Sequence, residues 1–438
     1  MTTPVVAPWD AERVIGLAPD AASAKAGRGQ AVASKWSGLG VSGEAIWGDC
    51  QGSGKKPYQT CVELAGPAYR CSCPSRKFPC KHALGLLLLW SAGGVAAGPQ
   101  PDWVGIWLDS RADRADRAEK RAAAPRDEQA AAKRAGDRLD RVLGGAAELR
   151  EWLTDRVRAG LGTLGPDGVA DLHGVAARMV DAQAPGLAGG LRRAASLLGR
   201  GRDWHGPLLT ELALLHLLAD AVTRLDDLPP ALADTVRARL GFTVDTAKVL
   251  ADGPRVTDDW LVVGIADEEH DRLVTRRVWL RGTRTGRAAL VLSFAPAGRS
   301  IDSSIPAGHV LPAELAFHPA AAPVRAVIAD RGDPVPVTDP PGDTVATALD
   351  SLADALAADP WLDRWPVLLS DVAATPMPDA RTWALTDPTG ASLPLIPGTD
   401  HWPLLALTAT TPATLGAEWT PAGLHPLTCW HDSRAVRL

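Results

Sequence analysis

The chain of 438 residues is poor in several residue types: it contains two tyrosines, four phenylalanines, three methionines and six cysteines. It has no run of about eighteen apolar residues, so the sequence predicts no membrane span. The N-terminus lacks a basic segment followed by an apolar one, which predicts no signal peptide. Six cysteines scattered along so long a chain do not form a disulfide framework. We therefore expect a cytoplasmic protein.

Catalytic motifs are also missing from the sequence. It contains no GxSxG nucleophile elbow, no HExxH pair and no GxxxxGK[ST] phosphate loop. The composition, with 46% hydrophobic and 22% charged residues, is that of an ordinary globular protein. Its length predicts two to four domains. An enzyme, such as a nuclease or another hydrolase, with an unrecognised active site in the C-terminal half stays open as an alternative.

What the sequence does contain is a compact metal-binding pattern. Cys71 and Cys73 are separated by one residue, six residues follow, and Cys80 and His82 are again separated by one residue. Thiolate and imidazole are the ligands that Zn²⁺ prefers, and four of them fill a tetrahedral site. Alternate residues of a strand share a face, so the first pair suits a strand or knuckle, and the second suits a helix start. The pattern predicts one structural Zn²⁺.

Other roles for these residues stay open at this point. The cysteines could be free or redox-active thiols, or two of them could form a disulfide in an oxidising compartment. A catalytic zinc is less compatible with the pattern, because a catalytic site leaves one coordination position open for water. Cys50 and Cys61 lie on or beside predicted strands, and we expect them to be buried thiols and not additional ligands.

The pattern of CxC, a short spacer and CxH, between a predicted hairpin and an apolar helix, resembles the SWIM-type zinc finger in its bacterial branch. The similarity covers about residues 30–95 and places the zinc ligands at the same four positions. It implies a module for protein or nucleic-acid contacts. Bacterial relatives tend to be encoded beside AAA-type ATPases and von Willebrand A proteins, which implies a multi-protein assembly. The resemblance thus favours a zinc-binding interaction protein.

A basic strip surrounds the predicted metal site. The net charge of the chain is −5, yet six of its nine lysines precede residue 82. The strip could bind nucleic acid or a protein partner, or it could neutralise the net negative charge of a zinc ion with three thiolates. The candidate contact residues are Lys55, Lys56, Tyr58, Arg76, Lys77 and Phe78.

The remaining pattern predicts an α+β multidomain protein with a small ββα-like zinc finger, a central helical bundle and a C-terminal β-rich region. Apolar residues recur at helical spacing up to about residue 250, and Pro207–Leu225 is the strongest helix. Short strands follow, including Leu404–Thr408, and residues 383–430 suggest a small barrel or sandwich-like unit. The predicted divisions are an N-terminal arm (1–28), a SWIM-type zinc finger module (29–98), a charged alanine-rich helical linker (99–136), a helical domain (137–250) and a β-rich or mixed domain (251–438).

Overall fold

The computed structural model describes residues 9–52, 56–65, 67–75, 77–123, 128–164, 168–200, 204–270, 272–296, 301–377, 382–398 and 400–438. Within these ranges the chain forms twelve α-helices and three β-sheets. A small sheet with helices comes first, helices fill the middle, and two six-stranded sheets form the C-terminal part. The predicted α+β multidomain class is confirmed.

The N-terminal unit combines three helices with an antiparallel sheet whose four strands follow sequence order. Its elements are α1 (Ala11–Gly16), α2 (Ala21–Arg28), β1 (Trp36–Val41), β2 (Ala45–Cys50), β3 (Tyr58–Glu63), β4 (Ala68–Cys71) and α3 (Lys81–Ser91). The hairpin β3–β4 followed by α3 is the predicted ββα-like arrangement, which two further strands and two helices extend. Leucines lie on almost every side of α3, so this helix needs apolar cover on more than one face.

The N-terminal segment supplies part of that cover. Trp9 lies edge-on to Trp90 of α3 with ring centroids 5.7 Å apart. Val14 of α1 and Leu17 are buried in the same core. Residues 9–28 are therefore an integral layer of the zinc finger unit, which corrects the prediction of a loose arm; residues 1–8 lie outside the described part.

The charged alanine-rich tract is helical, as predicted, and forms α4 (Asp102–Ala123) and the first part of α5 (Glu128–Ala159). The beginning of α4 packs on the N-terminal sheet, where Val104 is fully buried against Trp47 and Cys61. The sequence also predicts a break of this helical tract near Pro125, a position that lies outside the described residues. The tract thus connects the zinc finger unit to the helical bundle and also packs against the sheet.

The central region is a helical bundle, as predicted. Beside α5, its helices are α6 (Gly168–Asp181), α7 (Pro185–Leu197), α8 (His205–Thr223) and α9 (Pro230–Leu240). The short α10 (Thr246–Asp252) follows and packs against the strands that come after it. The apolar stripe of α5, which includes Val142, Leu149 and Leu153, is buried against α6 and α8. Proline begins α7 and α9, where its missing N–H has no intrahelical partner to lose.

Helix α8 is the one described helix that is long and apolar enough, by length and composition, to cross a membrane. In the structure, however, Leu208, Leu212, Leu215 and Val222 of this helix are buried in the bundle core. A core helix of a soluble domain meets the same criteria of length and composition. The bundle core therefore accounts for the apolar character of α8.

The second sheet closes into a barrel. Its strands are β5 (Arg255–His270), β6 (Leu273–Gly282), β7 (Ala288–Pro296), β8 (His309–Phe317), β9 (Arg325–Arg331) and the short β10 (Val335–Pro336). Strand β5 pairs with β6 and β8, β7 runs parallel to β9, and β9 returns to β8. A bulge between Val262 and Gly264 lets the long β5 bend between its two partners. The result is a five-stranded Greek-key barrel of the kind found in OB-folds, with β10 added to β8.

The third sheet is open and antiparallel. Its elements, with two helices, are α11 (Val345–Ala358), β11 (Trp365–Pro376), β12 (Trp383–Thr386), β13 (Ser392–Pro394), α12 (Trp402–Thr408), β14 (Ala413–Thr420), β15 (Gly423–His431) and β16 (Arg434–Arg437). The strand predicted at Leu404–Thr408 is wrong: Pro403 suits a first helical turn, and Leu404 and Thr408 bury one side of α12. Residues 383–430, for which a small barrel or sandwich-like unit was predicted, form part of this open sheet, and the barrel lies in residues 255–331.

A buried ion-pair network joins the barrel to the third sheet. The carboxylate of Glu418, on β14, accepts hydrogen bonds from Arg277 Nε at 2.9 Å, Trp279 Nε1 at 2.8 Å and Arg364 Nη1 at 2.7 Å. Burial by itself would raise the pKa of Glu418, but the hydrogen bond from Trp279 and the two arginines lower it below its ordinary value. The buried carboxylate is therefore ionised at neutral pH and fixes the two sheets against each other.

Contacts also connect the sheets with the other two units. Asp359, after α11, pairs with Arg239 of α9 at 2.6 Å, and the Trp361 indole donates to the carbonyl of Leu214 in α8 at 2.9 Å. On the other side, Arg13 of α1 pairs with Asp333 at 3.2 Å. The zinc finger unit and the bundle thus both contact the C-terminal β region.

We predict that Glu418→Ala destabilises the β region by about 3 kcal/mol, because it removes the buried carboxylate partner of Arg277 and leaves that guanidinium with only the exposed Glu268. Hydrogen exchange of the β5, β6 and β14 amides, measured by mass spectrometry, should report this loss. The matched control is Glu269→Ala, since Glu269 is exposed near the end of β5. Equal protection in the two variants would contradict a stabilising role for the network.

The same carboxylate gives a pH dependence. Because its pKa is lower in the folded chain than the ordinary 4.5, ionised Glu418 stabilises the fold above that pH. This contribution is lost as the pH falls through the folded pKa. Wild-type protection in β5 and β14 should therefore fall more between pH 7 and strongly acidic pH than that of Glu418→Gln, which cannot ionise.

Candidate metal centre

Four side chains from three consecutive structural pieces converge beside the N-terminal sheet. Cys71 is the last residue of β4, Cys73 lies in the knuckle that follows, Cys80 is the N-cap of α3, and His82 is the second residue of that helix. The predicted placement of one pair at a strand end and the other at a helix start is confirmed. The site therefore ties the end of a strand to the beginning of a helix.

The geometry of these four residues fits one zinc ion. Their ligand atoms all lie within 4.8 Å of one another. Cys71 Sγ is 3.7 Å from His82 Nδ1, close to the separation of about 3.5 Å that tetrahedral Zn–S and Zn–N bonds require. All four positions are filled by protein side chains, so the site has the closed ligand set of structural zinc.

The three thiols interact strongly with one another. Hydrogen bonds from Cys71 and Cys80 lower the pKa of Cys73 far below its usual range. The same contacts, with Cys71 first, raise the pKa of Cys80, and the contact with Cys73 raises that of Cys71. The cluster therefore favours one thiolate at Cys73, and Zn²⁺ would displace the remaining thiol protons when it binds.

Neighbouring groups support the ligands. Thr60 is the cross-strand partner of Cys71 in the β3–β4 pair, and its hydroxyl lies 3.2 Å from Cys71 Sγ. The ring of Tyr58 lies 5.0 Å from that of His82, between centroids, and limits its rotation. Cys80 is the N-cap residue of α3, so the positive end of the helix dipole lies beside its sulfur. These contacts orient the ligands and stabilise negative charge on sulfur.

The other cysteines are buried thiols. Cys50 and Cys61 are fully buried, and burial raises the pKa of Cys61 to about 12. Cys429 lies in the core of the third sheet, and burial raises its pKa to about 11. Among the described residues, the only group of three or more His, Cys, Asp or Glu side chains arranged to hold a metal is the one at Cys71. The prediction that Cys50 and Cys61 are buried thiols is confirmed.

The structure locates four of the six predicted contact residues. Lys56 and Lys77 are exposed and Tyr58 is half-buried. Phe78 is also half-buried, because part of its ring packs against the core of the zinc finger unit. Lys55 and Arg76 lie outside the described residues. The described part of the predicted strip therefore combines exposed lysine side chains with half-buried aromatic rings.

A cleft of about 750 Å³ opens directly beside the zinc ligands. The sequence had indicated Tyr58 and Lys77 there, but not the opposite wall, which comes from the N-terminal segment and the start of the sheet. We call this space the lysine cleft. Its lining residues are Ala22, Ser23, Ala26, Gln30, Ser34, Lys35, Gln51, Gly52, Tyr58, Cys73, Pro74, Ser75, Lys77, Lys81 and His82.

Two close approaches bring α2 to the edge of this cleft. A Cβ on Gly27 would lie 2.7 Å from Leu84 Cβ, and a Cβ on Gly85 would lie 2.5 Å from Gln30 Cβ. Larger side chains at these positions would push α2 away from α3. No local sequence signal predicts this pairing, because it depends on two glycines that are distant in the chain.

We predict one tightly bound Zn²⁺ per chain, measured by metal analysis after purification in metal-free buffer. Cys80→Ser should lose it, since serine is a poor zinc ligand. Cys50→Ser is the matched control and should keep it, because Cys50 is buried outside the ligand set. A wild-type protein without zinc, with free thiols at Cys71, Cys73 and Cys80, would contradict the assignment.

We also predict the order of unfolding on chelation. Binding energy in small zinc sites is largely folding energy, roughly 10 kcal/mol or more, so a chelator should first remove hydrogen-exchange protection from β3, β4 and α3. Helices α1 and α2 should follow, because they share the α3 core. The bundle core of α5–α9 is separate and should stay protected. If the bundle lost its hydrogen-exchange protection at the same rate as α3, the division between the zinc finger unit and the bundle would be wrong.

Comparison with protein families identifies two parts of the chain. The family model of the SWIM zinc finger matches residues 61–90, and that of the SWIM-associated four-helix bundle domain matches residues 137–240. The first match contains all four zinc ligands, and the second covers the bundle from α5 to α9. No curated protein and no solved structure matches the chain. The chain therefore contains a SWIM-type zinc finger followed by a SWIM-associated helical bundle domain.

Proposed function

We propose that the protein is a zinc-binding interaction protein, whose finger contacts a macromolecular partner within an assembly of several cytoplasmic proteins. The observation that carries this proposal is the lysine cleft beside the zinc ligands. A cleft of this size lies within the range of ligand sites, about 300–1,000 Å³. Zinc holds its walls in place and takes no part in a reaction, because protein side chains fill its coordination positions.

Charge distribution supports a contact role for the finger. Residues 20–82 contain nine lysines and arginines but four aspartates and glutamates, in a chain whose net charge is −5. A zinc ion with three thiolates carries one net negative charge, so the excess exceeds what the metal site needs for neutralisation. The surplus is available to attract an acidic surface.

The C-terminal barrel offers little support for a second contact site of the nucleic-acid type. OB-fold barrels bind oligonucleotides on the outer face of their second and third strands. Here the second strand, β6, packs against the third sheet through Trp279, beside Leu261 and Val263 of β5. On the third strand, β7, Phe294 is exposed, so the chain itself covers the equivalent face in part.

The enzyme alternative has less support. In the C-terminal half, several buried and half-buried carboxylates are paired with arginines: Asp267 with Arg276, Glu418 with Arg277, and Asp343 with Arg281. A nuclease or hydrolase needs carboxylates or histidines free to bind a metal or move a proton. These pairings favour a structural role for the acidic side chains that are paired.

Partner identity is tested by affinity purification of the full chain from extracts of its own cells, with and without nuclease. The resemblance to bacterial SWIM proteins makes AAA-type ATPases and von Willebrand A proteins the first candidates. Specific recovery should fall about ten-fold or more, equivalent to 1.4 kcal/mol or more of binding energy, in Cys80→Ser. It should be unchanged in Cys50→Ser.

The outcomes separate the possibilities. Proteins that remain bound after nuclease treatment and are lost in Cys80→Ser support the proposal, as does nucleic acid retained by the wild type and lost in that variant. If recovery is equal in both cysteine variants, then the finger is not the contact surface, and the proposal is wrong.

A further inference from the structure

The residues that line the lysine cleft indicate the chemical class of partner that it binds. The following inference rests on the proposed function. Three lysines line it, at positions 35, 77 and 81, together with hydroxyl groups of serine and side-chain amides of glutamine. No aspartate or glutamate is among its lining residues. A ligand of this cleft must therefore carry negative charge and offer many hydrogen-bond acceptors.

One carboxylate of the chain already occupies the edge of the cleft. Asp20, the N-cap of α2, accepts a hydrogen bond from Lys77 Nζ at 2.5 Å, while its other oxygen accepts one from the Ser23 amide at 2.6 Å. Burial opposes ionisation of Asp20, but the hydrogen bonds from Lys77 and Ser23 lower its pKa. This ion pair connects the knuckle to α2. It shows that the Lys77 ammonium binds a carboxylate at the edge of the cleft.

The other two lysines are oriented differently. Lys35 Nζ donates to the carbonyl of Gly29, at the end of α2, at 2.5 Å, which places its ammonium on the cleft wall and leaves further donors. Lys81 is exposed at the first position of α3 and has no acidic partner among the described residues. Together with Lys77 they place positive charge along more than one wall of the cleft.

The walls suit an extended peptide better than nucleic acid. Single-stranded nucleic acids are bound by several aromatic side chains on which successive bases stack. Among the lining residues, Tyr58 is the one tyrosine, phenylalanine or tryptophan, and its ring is tilted against His82. The opposite wall presents the small side chains of Ala22 and Ala26, which allow a backbone to approach closely.

We propose that the lysine cleft binds an acidic peptide segment of a partner protein, whose carboxylates pair with Lys35, Lys77 and Lys81. In this arrangement Asp20 competes with the ligand for Lys77. Binding of the partner displaces Asp20 from one ammonium, so the affinity is set partly by an acidic group of the chain itself.

The test uses the full zinc-loaded chain and a fluorescein-labelled peptide of alternating Glu and Ala, with binding followed by fluorescence anisotropy. The peptide should bind at low salt, and its affinity should fall as salt screens the exposed charge pairs. A peptide with Gln in place of Glu should not bind. Lys77→Gln should weaken binding about three-fold, the range of an exposed charge pair, whereas the remote exposed Lys248→Gln should not change it.

A second variant should act in the opposite direction. Asp20→Asn keeps a good N-cap residue but removes the carboxylate that competes for Lys77, so it should strengthen peptide binding about three-fold. Asp10→Asn is the matched control, because Asp10 caps the neighbouring helix α1 in the same way and lies outside the cleft lining. Zinc content, measured for each variant, should stay at the wild-type value.

Three results would overturn the inference: no salt-sensitive binding of the Glu peptide, equal binding by Asp20→Asn and Asp10→Asn, or tighter binding of a single-stranded DNA or RNA 12-mer than of the peptide. The triple variant Lys35→Gln, Lys77→Gln, Lys81→Gln separates this inference from the proposed function. If it retains zinc and still recovers partners from extract, another face of the finger makes the contact. If it retains zinc and loses both peptide and partners, the cleft is the contact site.

Discussion

The joint between β4 and α3 is the constraint on which the N-terminal half of the protein depends. Four ligands in twelve residues hold a strand end, a knuckle and a helix start around one zinc ion. This fixes the direction in which α3 leaves the sheet. Because α3 is apolar on nearly every side, its position then determines where α1, α2 and the sheet find their common core. A metal ion thus organises a hydrophobic core much larger than its own site.

The same joint also creates the surface that carries the proposed function. The knuckle and the first turn of α3 form one side of the lysine cleft, and α2 forms the other because Gly27 and Gly85 permit close packing. The environment of charged side chains differs between the two ends of the chain. In the β region Glu418 and its arginines neutralise one another inside the fold, whereas in the finger Lys81 is left facing solvent. The proposed function therefore assigns recognition by charge to the finger.

Predictions from the sequence succeeded where the signal was local and failed where it was not. The spacing of Cys71, Cys73, Cys80 and His82 was sufficient for the metal site, and the helical periodicity after residue 137 was sufficient for the bundle. Leu404–Thr408 was misassigned because a short apolar run fits a strand or a helix, and only burial of one side of α12 decides between them. The barrel in residues 255–331 was not predicted, because its closure depends on β8 pairing with both β5 and β9.

The sequence by itself determined the zinc ligands, the helical middle, the β-rich end and the basic character of the finger. Each of these depends only on residues that are close together in the chain or on composition. Only the tertiary structure decided that residues 9–28 complete the finger, that Asp20 meets Lys77, and that Lys35 lies on the same cleft. Asp20 and Lys77 are separated by 57 positions, and nothing in the local pattern of either residue specifies the other. Their meeting follows from how α2 packs on α3, a choice made by shape complementarity between distant apolar surfaces.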